Sequence, residues 1–186
     1  MNEFADIFKA YDIRGVYGRD FDEQDVRKIG FFLPRLLNAT EVLVGRDDRA
    51  SSPSVFNALC DGITLAGADV LSIGQSTTPT VYFATATLGI DAAVQITASH
   101  NPPEYNGIKV CKTGAEPVDF STGLSELEQM CAGDITPAST RGSIREIDVR
   151  GDYLEFLRQY LPDHSKLKVG VDCSNGMAAL LIKELL

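Results

Sequence analysis

One feature constrains this chain more than any other: short β-rich apolar runs alternate with helical patterns, and Gly or a hydroxyl residue followed by Pro marks the junctions. Chains with this grammar fold as α/β layers, with the helices packed on the faces of one sheet. Glu41 to Gly45, Asp69 to Ile73, Asp91 to Thr97 and Ile108 to Cys111 read as strands. A helix is predicted over Asp22 to Leu37, where Val26, Ile29, Leu33, Leu36 and Leu37 recur at helical spacing. Pro34 should kink or shorten it. Ser52-Pro53 and Thr78-Pro79 supply a cap followed by proline, opening helices to Ala66 and Leu88 that Gly67 and Gly89 stop. Ser121 to Met130 reads as helical, Asn101 to Gly107 as a turn, and Ala132 to Ser143 as a loop.

The grammar then restarts. Arg150 to Leu161 is a predicted helix, Lys166 to Asp172 a predicted strand, and Ser174-Asn175-Gly176 turns into a helix reaching Leu186. A lone β-α unit cannot make its own sheet. The division this suggests is a domain over 1–149, then a linker helix and the truncated start of a similar second domain over 150–186. The expected fold is a three-layer α/β/α arrangement around a mixed, mostly parallel sheet.

Composition narrows the function classes. Lys and Arg number 17 against 26 Asp and Glu, a net charge of −9 that argues against a nucleic-acid partner, which needs a basic face. A few clustered cations still suffice for a small anion. No apolar run approaches the roughly 18 residues of a spanning helix, so no membrane partner is expected. The opening Met-Asn-Glu-Phe-Ala-Asp shows neither the basic nor the apolar part of a secretory signal, which points to the cytoplasm. Cys60, Cys111, Cys131 and Cys173 contain no C-x-x-C pair and read as reduced thiols rather than a zinc site or a dithiol.

The stretch richest in possible chemistry is Ile96-Thr97-Ala98-Ser99-His100-Asn101-Pro102-Pro103, a polar loop directly after a strand. Ligands in α/β sheets bind beyond the carboxyl ends of the strands. Two readings stand on the residues alone: Ser99 is a nucleophile, or the loop is a polar turn held by Ser and Asn side chains. A hydrolase lacks support, since G-x-S-x-G is absent and adjacent side chains in an extended chain point apart, leaving His100 a poor base for Ser99. Neither G-x-G-x-x-G nor a P-loop is present, which removes a dinucleotide-binding domain. Arg46, Asp47 and Arg49 read as a charged strand-end network, Ser51 and Ser52 as helix caps, and His164 as solvated.

T-A-S-H-N-P (Thr97 to Pro102) followed by Y-N-G-I-K (Tyr105 to Lys109) resembles the phosphoserine loop of the α-D-phosphohexomutases. F-K-A-Y-D-I-R-G (Phe8 to Gly15) resembles the opening signature of their phosphomannomutase/phosphoglucomutase branch. V-G-R-D-D-R-A-S-S (Val44 to Ser52) and V-D-C-S-N-G-M-A (Val171 to Ala178) follow in the family's order. The resemblance implies a four-domain enzyme that moves a phosphoryl group between the 1- and 6-positions of a hexose phosphate, through a phosphoserine and a bisphosphorylated sugar. It makes Ser99 the phosphoryl carrier, with Lys109, His100 and Arg14 catalytic and Tyr11 and Asn101 substrate-binding. It implies Mg²⁺, held in part by the phosphate on Ser99, and a hexose 1,6-bisphosphate activator. A phosphoserine carries about −1.5 to −2 charge, which cations must offset; an ammonium ~4 Å away is worth roughly 4 kcal/mol at an effective dielectric near 20.

The family's aspartate-rich metal loop, D-G-D-G-D-R-like, does not occur in these residues, nor do its sugar-selecting and distal phosphate-binding loops. The segment after Gly176-Met177 also departs from the family pattern, running Ala-Ala-Leu-Leu where a glycine and a proline are expected. The expectation is an N-terminal piece that is inactive as a mutase by itself. The alternative is a naturally short, non-catalytic module that binds a phosphosugar or a partner.

Overall fold

The computed structural model describes residues 6–163 and 166–186; His164 lies outside them. Seven strands form one sheet: β1 (Ile13–Val16), β2 (Glu41–Arg46), β3 (Asp69–Gln75), β4 (Ala92–Ile96), β5 (Tyr105–Lys112), β6 (Glu116–Pro117) and β7 (Ile144–Glu146). Their order is β1-β5-β4-β2-β3-β7, with β6 paired to β5. The run β4-β2-β3-β7 is parallel, while β5 is antiparallel to β1, β4 and β6. The sheet is therefore mixed.

Among the described residues six α-helices accompany it: α1 (Glu23–Leu36), α2 (Ser52–Leu65), α3 (Thr78–Leu88), α4 (Ser125–Cys131), α5 (Arg150–Arg158) and α6 (Ala179–Leu185). The period of two along each strand sorts side chains between two cores. Val42, Val44, Val70, Val94 and Ile96 pack with Val26, Ile29, Leu33, Leu59 and Ile63 of α1 and α2 on one face. Leu43, Leu71, Ala93 and Cys111 pack with Val81 and Ala84 of α3 on the other. Helices on both faces of one sheet make the three-layer fold expected from the sequence. Among the described residues, no helix is long and apolar enough to cross a membrane.

Helix ends follow their caps. Asp22 accepts from the Gln24 and Asp25 amides at 2.7 and 3.2 Å, and Asp25 returns a bond to the Asp22 amide at 2.9 Å, a reciprocal N-cap for α1. The helix runs on through Pro34 to Leu36. Thr77, one residue before the predicted cap, caps α3, and Gly89 closes it with φ 68°. Gly30 and Gly62 let α1 and α2 touch backbone to backbone: a Cβ on Gly30 would stand 3.0 Å from the Leu59 carbonyl carbon.

Three departures from the sequence reading have physical causes. Residues 166–172 do not form a strand, because no neighbouring strand accepts their hydrogen bonds; Leu167, Val169 and Val171 stay exposed. The Ser121–Met130 helix begins as a π-turn over Phe120–Leu124 that Gly123 breaks, so regular helix starts at Ser125. Ser51, not Ser52, occupies the N-cap of α2, and its side chain makes no cap bond.

Candidate active site

The helices α2 and α3 leave β2 and β3 on opposite faces, and β4 returns to lie on the far side of β2 from β3. The loops that leave the carboxyl ends of the neighbouring strands β2 and β4 border a crevice, the place where open α/β sheets bind ligands. The loop after β2 (47–51) and the loop after β4 (97–104) meet there.

Ser99 projects from the second loop and is exposed. Its φ of 56° is left-handed, an uncommon state for a residue with a Cβ. The turn is held from below: the Ser99 amide donates to Thr97 Oγ1 at 3.0 Å, and the Thr97 amide to the Gly107 carbonyl at 2.9 Å. This bend corrects one expectation. Ser99 Oγ lies 3.3 Å from His100 Nδ1, since a left-handed residue is not extended and its neighbour's side chain swings to the same side.

Arg49 organises the loop. Its Nη1 donates to the carbonyls of Pro102 and Tyr105 at 2.7 and 3.0 Å, its Nη2 to those of Ser99 and Asn101 at 2.9 and 2.7 Å, and its Nε lies 3.2 Å from Asp47 Oδ2. Asp47 also accepts from Ser52 Oγ and from the Arg49 amide. Ser51 and Ser52 accept from the buried Asn106 Nδ2 at 2.8 and 3.1 Å. The two serines tie α2 to β5 instead of capping the helix. The floor of the crevice is polar too: Ser76 Oγ donates to Gln95 Oε1 at 2.9 Å, and Gln95 Nε2 to the Ser76 carbonyl at 3.1 Å.

Two adjoining cavities open here. The larger, about 1020 Å³, is lined by Ser99, His100 and Asn101 with Asp47, Arg49, Thr77 and residues 173–178. The smaller, about 580 Å³, is lined by Tyr11, Asp12, Arg14, Asn101, Tyr105 and Lys109. Asn101 belongs to both walls. Buried Asp12 holds the cations of the smaller one: Lys109 Nζ is 3.0 Å from Asp12 Oδ2, and Arg14 Nη2 pairs with the same oxygen. Arg14 Nη1 donates to Asn101 Oδ1 at 3.1 Å, while Arg14 Nε is buried and unpartnered. Tyr11 is 78% exposed, its ring standing in solvent at the rim.

The six candidate residues thus fall into two groups joined at Asn101: Ser99 and His100 on one side, Tyr11, Arg14 and Lys109 on the other. Two residues that organise the site, Asp12 and Arg49, were not candidates. Both sit inside motifs visible in the sequence, and the signal for Arg49 was its place just beyond a strand that neighbours the strand feeding the serine loop. No group of His, Cys, Asp or Glu comes together to hold a metal ion among the described residues.

Residues 5–131 match the family model for phosphoglucomutase/phosphomannomutase, alpha/beta/alpha domain I. The chain belongs to the phosphoglucomutase/phosphomannomutase family. It is 40% identical over 187 residues to a phosphomannomutase of Salmonella montevideo, a match covering 98% of this chain and 41% of that protein. It is also 40% identical over 151 residues to a phosphomannomutase of Klebsiella pneumoniae, covering 80% of this chain and 96% of the relative. The crystal structure of a phosphoglucomutase/phosphomannomutase family protein from Burkholderia thailandensis superposes with a TM-score of 0.82 at 31% identity, covering 100% of this chain and 42% of that one. The chain thus spans about two fifths of the length of the Salmonella relative.

Proposed function

We propose that this chain supplies the phosphoserine part of a phosphohexomutase, with Ser99 as the group that carries and returns phosphate. The observation that carries the reading is the exposed Ser99 hydroxyl, bent outward by a left-handed backbone at the crevice between β2 and β4. The family membership supports it, and relatives named phosphomannomutase point to a hexose phosphate as substrate.

In the forward half-reaction a sugar hydroxyl oxygen bonds to phosphorus as the Oγ–P bond of the phosphoserine breaks. The hydroxyl proton ends on Ser99 Oγ, and the product is a hexose bisphosphate. After that sugar turns round, Ser99 Oγ attacks the other phosphate and the proton returns to the sugar oxygen. His100 Nδ1 stands within a hydrogen bond of Ser99 Oγ and is placed to hold the proton in transit. Arg14 and Lys109 offset phosphate charge from the adjoining cavity, and Asn101, with Tyr11 at the rim, orients the sugar. Arg14 commits one hydrogen from each Nη, to Asn101 and to Asp12, and keeps the second hydrogen on each for that purpose. A cavity of about 1020 Å³ suits a small ligand of hexose bisphosphate size.

Magnesium, which the family implies, would supply further neutralising charge at the phosphate. The described residues do not by themselves fit it, lacking any clustered carboxylate set, so no step here runs through the metal. The division at residue 149 and the idea that this is one part of a larger enzyme belong to the same proposal, as does its inactivity as a mutase by itself.

The test is intact-mass and peptide mass spectrometry of the chain after incubation with a hexose 1,6-bisphosphate. Phosphate is expected on Ser99 and absent from Ser99→Ala. Label on another residue, or none on the wild-type chain, would sink the reading. A coupled mutase assay of the same chain should stay at background.

A further inference from the structure

We infer that Arg49 is the positioning residue of the serine loop: it fixes where the Ser99 hydroxyl points without itself meeting the phosphate. The inference rests on Ser99 being the phosphoryl carrier, and the experiment below separates the two.

A guanidinium carries five N–H donors in a fixed planar fork. The four Nη hydrogens of Arg49 all have acceptors inside the protein, and its Nε sits in an ion pair. Four meet the carbonyls of Ser99, Asn101, Pro102 and Tyr105, and the fifth, on Nε, faces Asp47. The side chain is only 11% exposed and that of Asp47 8%. No Nη donor is left for a ligand and Nε is turned to Asp47, although the residue lines the same cavity as Ser99. Arg14 is the contrast, with one bond from each Nη and a second hydrogen to spare on both.

The pattern of acceptors matters more than their number. Three of the four carbonyls, those of Ser99, Asn101 and Pro102, are nearly consecutive, so the loop is wrapped around one cation. Turning the Ser99 carbonyl inward to Nη2 sends its side chain the other way, into the cavity. That is the sense of the left-handed φ at a residue that would otherwise avoid it. Without the guanidinium, three inward carbonyls would face one another with no donor between them, and Ser99 would relax toward negative φ with its hydroxyl displaced. Asp47 completes the device. Its amide bonds to the Ile96 carbonyl at 2.9 Å and its carboxylate is fixed by Ser52, so the fork is anchored to both strands that border the crevice.

A displacement of about 1 Å at a reacting atom costs on the order of a hundredfold in rate. The test measures single-turnover phosphorylation of Ser99 by a hexose 1,6-bisphosphate, with backbone amide exchange across 97–106 read alongside. Arg49→Ala should lower the limiting rate about a hundredfold while leaving the half-saturating sugar concentration near its wild-type value, since Arg49 spends no donor on ligand. Exchange should accelerate in 97–106 and not in β2 or β4. Arg49→Lys should be intermediate, about tenfold down, because three donors on one nitrogen cannot span four carbonyls and a carboxylate. If Arg49→Ala fails to fold, the Lys variant decides. Wild-type rates in a folded variant, or a loss confined to the half-saturating concentration, would overturn the inference. A wild-type chain that never takes phosphate on Ser99 would instead overturn the reading beneath it.

Discussion

Residues 41–46 and 166–171 are both short, β-rich and apolar, yet they end in different states. In β2, Val42, Leu43 and Val44 are fully buried between two helical layers and paired on both sides by β3 and β4. In the later segment Leu167, Val169 and Val171 are 67%, 53% and 50% exposed, and no ladder forms. Local β preference is the same in kind, so the difference lies in the neighbours. A strand in a mixed sheet is made by what stands beside it and what covers its faces.

Thiol chemistry offers the largest contrast between the two regions. Burial pushes Cys60 and Cys131 up to about 12 and raises Cys111 as well. At pH 8 a thiol at about 12 is thiolate in only about one molecule in 10⁴. Cys173, partly exposed beside the extended segment, should therefore react with a thiol reagent in the native protein while the other three wait for unfolding. Equal rates for all four would erase the contrast.

Stability should divide the same way, on a smaller scale. Leu43→Ala removes a side chain from the sealed centre of the sheet and should cost about 2–5 kcal/mol in denaturant unfolding. Leu167→Ala should stay within about 0.5 kcal/mol. A loss at Leu167 comparable to that at Leu43 would mean that its surroundings in solution are far more closed than the structure shows.

Smallest is an electrostatic effect at the rim. Asp20 is held down to about 2 by its hydrogen bond from Arg19 and then by the Val16 amide. A depressed carboxyl stabilises the fold fully above its ordinary value of 3.8 and loses that contribution as pH falls toward about 2. Acid unfolding followed by circular dichroism should show wild type ahead of Asp20→Asn above pH 3.8, with the gap closing by about pH 2. A gap that persists unchanged at pH 2 would assign the effect to packing.

Much of the fold could be read from the sequence where burial on both faces leaves a continuous apolar run, as in β2, β3 and β4, where apolar residues recur at helical spacing, as in α1, or where a cap and a stop residue bracket a helix, as in α3. The edges could not. β1 carries Arg14 and Gly15, and β7 is Ile-Arg-Glu, because an edge strand needs few apolar side chains. For the site, motif residues located the serine loop and the cations of the adjoining cavity. The roles of Asp12 and Arg49 were not visible, since an arginine that feeds four carbonyls and one that waits for a ligand are the same letter. Only the count of satisfied donors tells them apart. The position of His100 relative to Ser99 is equally hidden from the sequence: one left-handed residue reverses a rule that holds for extended chain.

Asn101 gives its side-chain oxygen to Arg14 and its backbone oxygen to Arg49. One residue thus serves as the pin between two adjoining chambers. Adding or deleting a residue between Ser99 and Tyr105 would pull that pin out of one arginine to satisfy the other. The length of this loop is consequently fixed by hydrogen-bond geometry as firmly as any side chain within it.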